Sequence, residues 1–278
     1  MDVNKAIGFA QLINAAYAIQ PGNVTNSAGT PVTAGGVTYT VVTTIYANDL
    51  ATDMNPGRDN DEVSIGLICQ ANGTGDVVIA IRGTEGIDEW IHDAEFLQVK
   101  CPFLPGAGQT EDGFTAMYNS LRTAVAPGSP SVVNALATLP FKQAVTSLTI
   151  CGHSLGGALV TLLALDVAAN TTFKNPTVYS YASPRTGDPS FADTYNQVVK
   201  NSFRIANRVD IVPMLPLPPS YQHAQVLTGL NPIQLQPLPP KILVNLTIPC
   251  AHSLDTYLYL LSLNSGGPVI PLDPACEP

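Results

Sequence analysis

The stretch Leu148-Thr149-Ile150-Cys151-Gly152-His153-Ser154-Leu155-Gly156-Gly157-Ala158 decides the fold. The apolar run Leu148–Cys151 predicts a strand, and Ala158–Ala169 predicts the helix that follows it. Between them lies G-x-S-x-G, in the strand–turn–helix setting that a nucleophile elbow requires. So tight a turn leaves no room for a Cβ two residues to either side of the serine, which accounts for Gly152 and Gly156. Gly157 and Ala158 extend the small surface, so the helix can pack close to the sheet. On this reading Ser154 is a nucleophile presented at the top of a sheet; the plain alternative is a serine in an ordinary glycine turn.

Working outward, β-branched and apolar runs predict strands over Val37–Ala47, Val63–Gln70 and, after the turn Gly73-Thr74-Gly75-Asp76, Val77–Ile81. Val178–Ala182 and Phe203–Ala206 continue the series. Helical stretches are predicted around Gly113–Val125 and Ser253–Leu263. At the start of the chain, Ile7, Ala10, Ile13 and Tyr17 recur at helical spacing. Ala16-Tyr17-Ala18 resembles a signal cleavage site, but Asp2, Asn4, Gln11 and Asn14 interrupt the apolar stretch before it. A surface helix is therefore the reading, and an exported protein would have had its signal left out of this chain. Strands alternating with helices predict an α/β fold, a mainly parallel central sheet with helices on both faces, in one domain over 1–278. Two Pro-rich stretches, Pro213–Pro219 and Pro232–Pro240, read as loops of that domain.

Composition narrows the function. Against 12 Lys and Arg stand 21 Asp and Glu, a net charge of −9, so nucleic acid, which is gripped by clustered basic groups, is not an expected partner. The longest apolar stretch, within Ala158–Ala169, carries Thr161 and Asp166 and falls short of the ~20 residues of a membrane span. The histidines, His92, His153, His223 and His252, are scattered, with no H-E-x-x-H pair, so neither metal nor cofactor is expected. Of five cysteines, Cys69 and Cys151 sit in strand-like runs as small hydrophobes. Cys101, Cys250 and Cys276 sit in loops where a bridge is open to any two of them.

A serine hydroxyl needs a base to take its proton. Behind an elbow the partners follow in the order acid, then histidine, leaving His223 and His252. His252 follows the strand-like run Ile242–Ile248 and precedes a helix, the place for a base reaching over the sheet edge; it is preferred. For the acid, Asp210 stands just beyond a strand's carboxyl end, where catalytic groups of open parallel sheets gather; Asp188 is the reserve. The backbone N–H of Leu155 supplies one oxyanion donor, and Thr84, in Arg82-Gly83-Thr84 directly after Val77–Ile81, supplies the second. In Glu85–Leu97 the residues Ile87, Trp90, Ile91 and Ala94 fall at i, i+3, i+4 and i+7. That pattern fits a lid or an ordinary surface helix equally well.

Taken in order, Ile81-Arg82-Gly83-Thr84 with Trp90 and Ile91, Glu111-Asp112-Gly113-Phe114, Gly152–Leu159, Tyr181–Asp188, Asn207–Pro213 and His252 with Tyr257 resemble the class 3, fungal-type triacylglycerol lipases. The resemblance spans about Val77 to Leu263 and implies an α/β-hydrolase fold with the triad Ser154, Asp210 and His252. It further implies Thr84 as oxyanion residue, the Trp90 helix as a short helical lid, and His223 as a non-catalytic residue near the binding cleft. It makes Asp188 structural. Glu111-Asp112-Gly113 departs from a basic or His-containing version of that turn, and Pro232–Pro240 has no counterpart. The implied activity is ester hydrolysis on neutral lipid at a lipid–water interface, in lipid degradation outside the cell. Phospholipase A1, feruloyl-type and short-chain esterase activities share the chemistry. A binding scaffold without catalysis is the rival from another class; an intact Ser, Asp and His set speaks against it.

Overall fold

Runs of Val, Ile and Thr form strands because branched side chains suit a pleated surface, and here most of them are buried on both faces. The computed structural model describes residues 1–19, 27–48, 62–84, 96–125, 128–234 and 241–278. In chain order these form helix α1 (Val3–Tyr17), strands β1 (Pro31–Ala34), β2 (Val37–Asn48), β3 (Glu62–Ala71), β4 (Asp76–Ile81), β5 (Gln98–Lys100) and β6 (Gln109–Glu111). Helices α2 (Asp112–Asn119) and α3 (Val132–Ala135), strand β7 (Ser147–His153), helix α4 (Leu155–Asn170) and strand β8 (Thr177–Tyr181) follow. The chain continues with α5 (Pro189–Val198), β9 (Asn201–Asn207), β10 (Val226–Leu230), β11 (Ile233–Gln234), β12 (Lys241–Ile242), α6 (Ile248–His252) and α7 (Leu254–Ser262).

Among the described residues the main sheet has eight strands in the order β1-β2-β3-β4-β7-β8-β9-β10. The pairs β1–β2, β2–β3 and β3–β4 are antiparallel. From β4 onward every pair is parallel. Alternate residues feed two cores. Val77, Ile79, Ile81 and Ile150 pack under α2, α4 and α5, with Phe114, Leu159, Leu163 and Phe191. Val78, Ala80, Cys151 and Tyr179 face α1 and α7, with Ala10, Ile13, Leu258 and Leu261. Helices thus cover both faces, as expected. Helix α4 is buried from Leu155 through Ala168, so its whole circumference is packed against the protein and is apolar but for Thr161 and Asp166, as suits a central helix.

Several boundaries differ from expectation. The helix predicted around Gly113–Val125 ends at Asn119, capped by Ser120; Arg122 instead bridges in extended form to Tyr46 and Ser131. The strand-like run Ile242–Ile248 is a strand only at Lys241–Ile242, and Pro249, at the start of α6, suits a helical first turn. Ile87, Trp90 and Ile91, and most of the Pro-rich insert, lie outside the described residues. No helix among the described residues is long and apolar enough to cross a membrane.

The elbow rests on close backbone approach. A Cβ on Gly156 would stand 2.5 Å from the Arg82 carbonyl oxygen, and one on Gly157 would stand 2.7 Å from the Ser183 Cβ. Neither neighbour of Gly156 is a flexible side chain tip, so Gly156→Ala is expected to cost about 2–3 kcal/mol of stability. A urea titration checks this; an unchanged midpoint would show that α4 has room to move.

Candidate active site

Strand β7 delivers the chain to the elbow in register with β4, with Ile81 paired to Gly152. Arg82, Gly83 and Thr84 therefore emerge beside Ser154. Gly83 marks how tightly: a Cβ there would fall 2.8 Å from the Ser154 Cβ and 3.0 Å from the His153 carbonyl oxygen. Ser154 itself takes φ 59° and ψ −127°, a left-handed backbone that a side chain adopts only under strain. Its N–H donates to the Tyr181 carbonyl at 2.9 Å. Leu155 opens α4, where the first N–H groups have no acceptor within the helix, so the positive end of the helix lies at the serine.

Asp210 lies in the turn after β9 and is 1% exposed. Its Oδ1 accepts the Val212 N–H at 3.0 Å. Its Oδ2 accepts the Tyr257 hydroxyl at 2.7 Å and His252 Nδ1 at 2.9 Å. A carboxylate accepts only, so Nδ1 of His252 carries the proton and Nε2 of the neutral ring is left as the base. His252 closes α6, with its side chain 7% exposed. Its ring centroid is 4.9 Å from that of His153, the residue before the candidate nucleophile. Ser154 Oγ and His252 Nε2 are both buried without a hydrogen-bond partner, each other included, so neither atom is spent on another group.

The structure thus brings Ser154, Asp210 and His252 to one end of the sheet, beside Leu155 and the Thr84 loop. His223 stands apart from that hydrogen-bonded set: its Nε2 donates to the Pro213 carbonyl at 2.7 Å, holding the loop that follows Asp210. Burial first, and then Arg204, push its pKa down to about 3. Asp188, the reserve acid, caps α5 through the Phe191 N–H at 2.8 Å, and Asp166 accepts the Tyr118 hydroxyl at 2.6 Å on the far side of α4.

Sequence reasoning missed two supports. Tyr257 donates to Asp210 while its oxygen accepts the Asn207 N–H at 3.0 Å. The Asn207 side chain donates to the Ala251 carbonyl at 2.9 Å, tying the end of β9 to the helix that carries His252. Position in the sequence carries no signal for such bonds, which join residues more than forty apart. A disulfide, Cys250–Cys276, fastens α6 to the C-terminal turn. It resolves the open choice among three cysteines; Cys101, Cys69 and Cys151 are buried thiols.

Residues 78–219, more than half of the chain, match the family described as Lipase (class 3). The chain belongs to the class 3 lipase family. It is 30% identical over 215 residues to Phospholipase A1-II 7 of Oryza sativa subsp. indica, a match covering 68% of this chain and 52% of that protein. It is 32% identical over 141 residues to the secreted mono- and diacylglycerol lipase A of Penicillium cyclopium, covering 51% and 43%. The chain therefore spans about half the length of the curated relatives it matches. Among solved structures, a Rhizomucor miehei lipase–propeptide complex superposes with TM-score 0.62 at 22% identity, over 82% of this chain and 67% of that one. This class 3 lipase chain accordingly has the α/β-hydrolase fold.

The half-buried, neutral His223 sets a pH dependence of stability. Its folded pKa lies below its unfolded one, so from about pH 6.5 down to about pH 3 the unfolded chain binds the extra proton and stability falls with acidification. His223→Gln, which keeps a donor for Pro213, is expected to flatten the slope of unfolding free energy between pH 6 and 4 by up to about 1.4 kcal/mol per pH unit. Equal slopes in the two proteins would contradict a neutral His223.

Proposed function

We propose that the chain is a serine carboxylic-ester hydrolase, acting as a lipase on neutral glycerides, with one catalytic unit over 1–278. The observation that carries this is the buried Asp210–His252 pair, whose remaining ring nitrogen is buried without a partner, as is the hydroxyl of a serine held in a strained elbow.

In the mechanism, Ser154 Oγ attacks the ester carbonyl carbon while His252 Nε2 takes its proton. The carbonyl π electrons move to oxygen, and the N–H of Leu155 with the N–H and hydroxyl of Thr84 hold the resulting oxyanion. Asp210 fixes the tautomer of His252 and offsets the charge of the imidazolium; Tyr257 and the Val212 N–H hold the carboxylate oriented. Collapse expels the alcohol, which takes the proton from His252. Water then attacks the acyl-enzyme, gives its proton to His252, and the acid leaves as Ser154 recovers its own.

A second reading keeps the chemistry and places a phospholipid in the site. The identity with a rice protein named as a phospholipase A1 favours it. Secretion is supported by the Cys250–Cys276 disulfide, a bond of oxidising compartments, and by the secreted Penicillium relative.

Hydrolysis of a medium-chain p-nitrophenyl ester by the protein beside Ser154→Ala tests the reaction. Turnover is expected to drop about 10⁴-fold or more in the variant; equal rates, or none in either folded protein, would overturn the reading. Rates on trioctanoin against dioctanoyl phosphatidylcholine then choose between the two substrates, the glyceride being expected as the faster.

A further inference from the structure

His153 occupies the variable position of the elbow, and sequence reasoning made it a packing residue. Its ring is engaged at both nitrogens. Nε2 lies 2.9 Å from the His252 carbonyl oxygen, and Nδ1 lies 2.8 Å from the Tyr17 hydroxyl, at the end of α1. The Tyr17 oxygen in turn accepts the Gly83 N–H at 2.8 Å.

Donor chemistry fixes the direction of every bond. A carbonyl oxygen only accepts, so His153 Nε2 carries a proton. Burial holds the ring neutral, with His252 beside it acting in the same direction, so Nδ1 is an acceptor and Tyr17 must donate its hydroxyl hydrogen to it. The phenolic oxygen then has lone pairs for Gly83. Three hydrogen bonds thus run one way, from Gly83 through Tyr17 and His153 to the backbone of His252, and chains of this kind polarise and stiffen one another. Their ends are the two halves of the proposed chemistry: Gly83 precedes the oxyanion residue Thr84, and His252 is the base. The strut passes directly behind Ser154. The Arg82 guanidinium lies 5.9 Å from the centre of the Tyr17 ring, on the same loop.

We infer that Tyr17 and His153 are positioning residues that hold the oxyanion loop and the base in register with the nucleophile, so that helix α1, far from the catalytic serine in sequence, sets the rate of the acyl transfer. The inference rests on the ester-hydrolase reading. A misplacement on the order of 1 Å at either end weakens groups whose value lies in being aligned before the charge develops.

The test is steady-state hydrolysis of the p-nitrophenyl ester, with active sites titrated by diethyl p-nitrophenyl phosphate so that kcat refers to competent enzyme alone. Tyr17→Phe keeps the ring and removes the link. The expected result is kcat per titrated site 10- to 100-fold lower with KM within about two-fold, since alignment acts on the transition state and not on binding. His153→Gln retains a donor for the His252 carbonyl, but its acceptor oxygen lies one bond further from the backbone than Nδ1, out of place for Tyr17. It is expected to lose about as much as Tyr17→Phe, and the double variant no more than the larger single, because all three break one chain. Per-site turnover equal to the parent in Tyr17→Phe, or losses that multiply in the double variant, would overturn the inference. Should Tyr17→Phe fail to fold, His153→Gln read against the parent decides alone, with full per-site turnover as the contrary result. A parent protein that neither hydrolyses the ester nor reacts with the phosphate would instead bring down the ester-hydrolase reading, and this inference with it.

Discussion

The site depends on how closely one helix can approach one sheet. Between Gly152 and Gly157 the chain leaves β7, turns back at a serine with positive φ, and enters α4 within van der Waals reach of the Arg82 and Ser183 backbones. Any Cβ at Gly156 would lift the helix away and take the Leu155 N–H with it. The strain at Ser154 is held in place by the surrounding structure: the Ser154 N–H is bonded to β8, and an α4 buried on all sides cannot rotate to relieve it. Packing and catalysis are therefore one constraint, since the forces that bury Leu159, Leu163 and their neighbours also aim the hydroxyl.

Around that fixed point the polar groups are arranged so that burial is compensated. A carboxylate withdrawn from water as far as Asp210 is tolerable only with partners, and it has three: an imidazole, a phenol and a backbone N–H. Removing one partner from such a buried set is costly because the group left behind stays desolvated, on the order of 1–3 kcal/mol or more. Tyr257 is held by the same arrangement: burial and then Asp210 drive its pKa up, so it remains a donor. Asn207 and the Cys250–Cys276 bridge brace the short helix from both sides, which matters because a five-residue helix has little stability of its own.

Much of this was legible in the residues before any coordinates. Val37–Ala47, Val63–Gln70, Val77–Ile81 and Leu148–Cys151 announce themselves because buried strands are built of branched side chains, and the elbow because a turn so crowded admits only glycine. The edge strands were harder. Val226–Leu230 follows a Pro-rich loop, contains Gly229 and leaves Val226 and Leu227 largely exposed, so neither composition nor alternation marks it. Pro31–Ala34 is too short to show a period. Ile242–Ile248 looked like a strand because apolar spacing alone cannot separate a strand from a loop beside a helix start. Ser154, Asp210 and His252 were singled out as candidates by chain order, placement and the family resemblance. Tyr17, Asn207 and the bonds of His153 were not, because a single side chain reaching across 44 to 136 residues of sequence leaves no local pattern; only the folded arrangement puts Tyr17 against His153.

The central claim is that Ser154 is the nucleophile and that the buried pair activates it. Treatment with a fluorophosphonate, followed by digestion and mass spectrometry, tests that claim directly. One phosphonyl group per chain is expected, on Ser154, with fluoride as the leaving group and a labelling rate that collapses in His252→Ala. Label on any other residue, or labelling of Ser154 at an undiminished rate without His252, would contradict it.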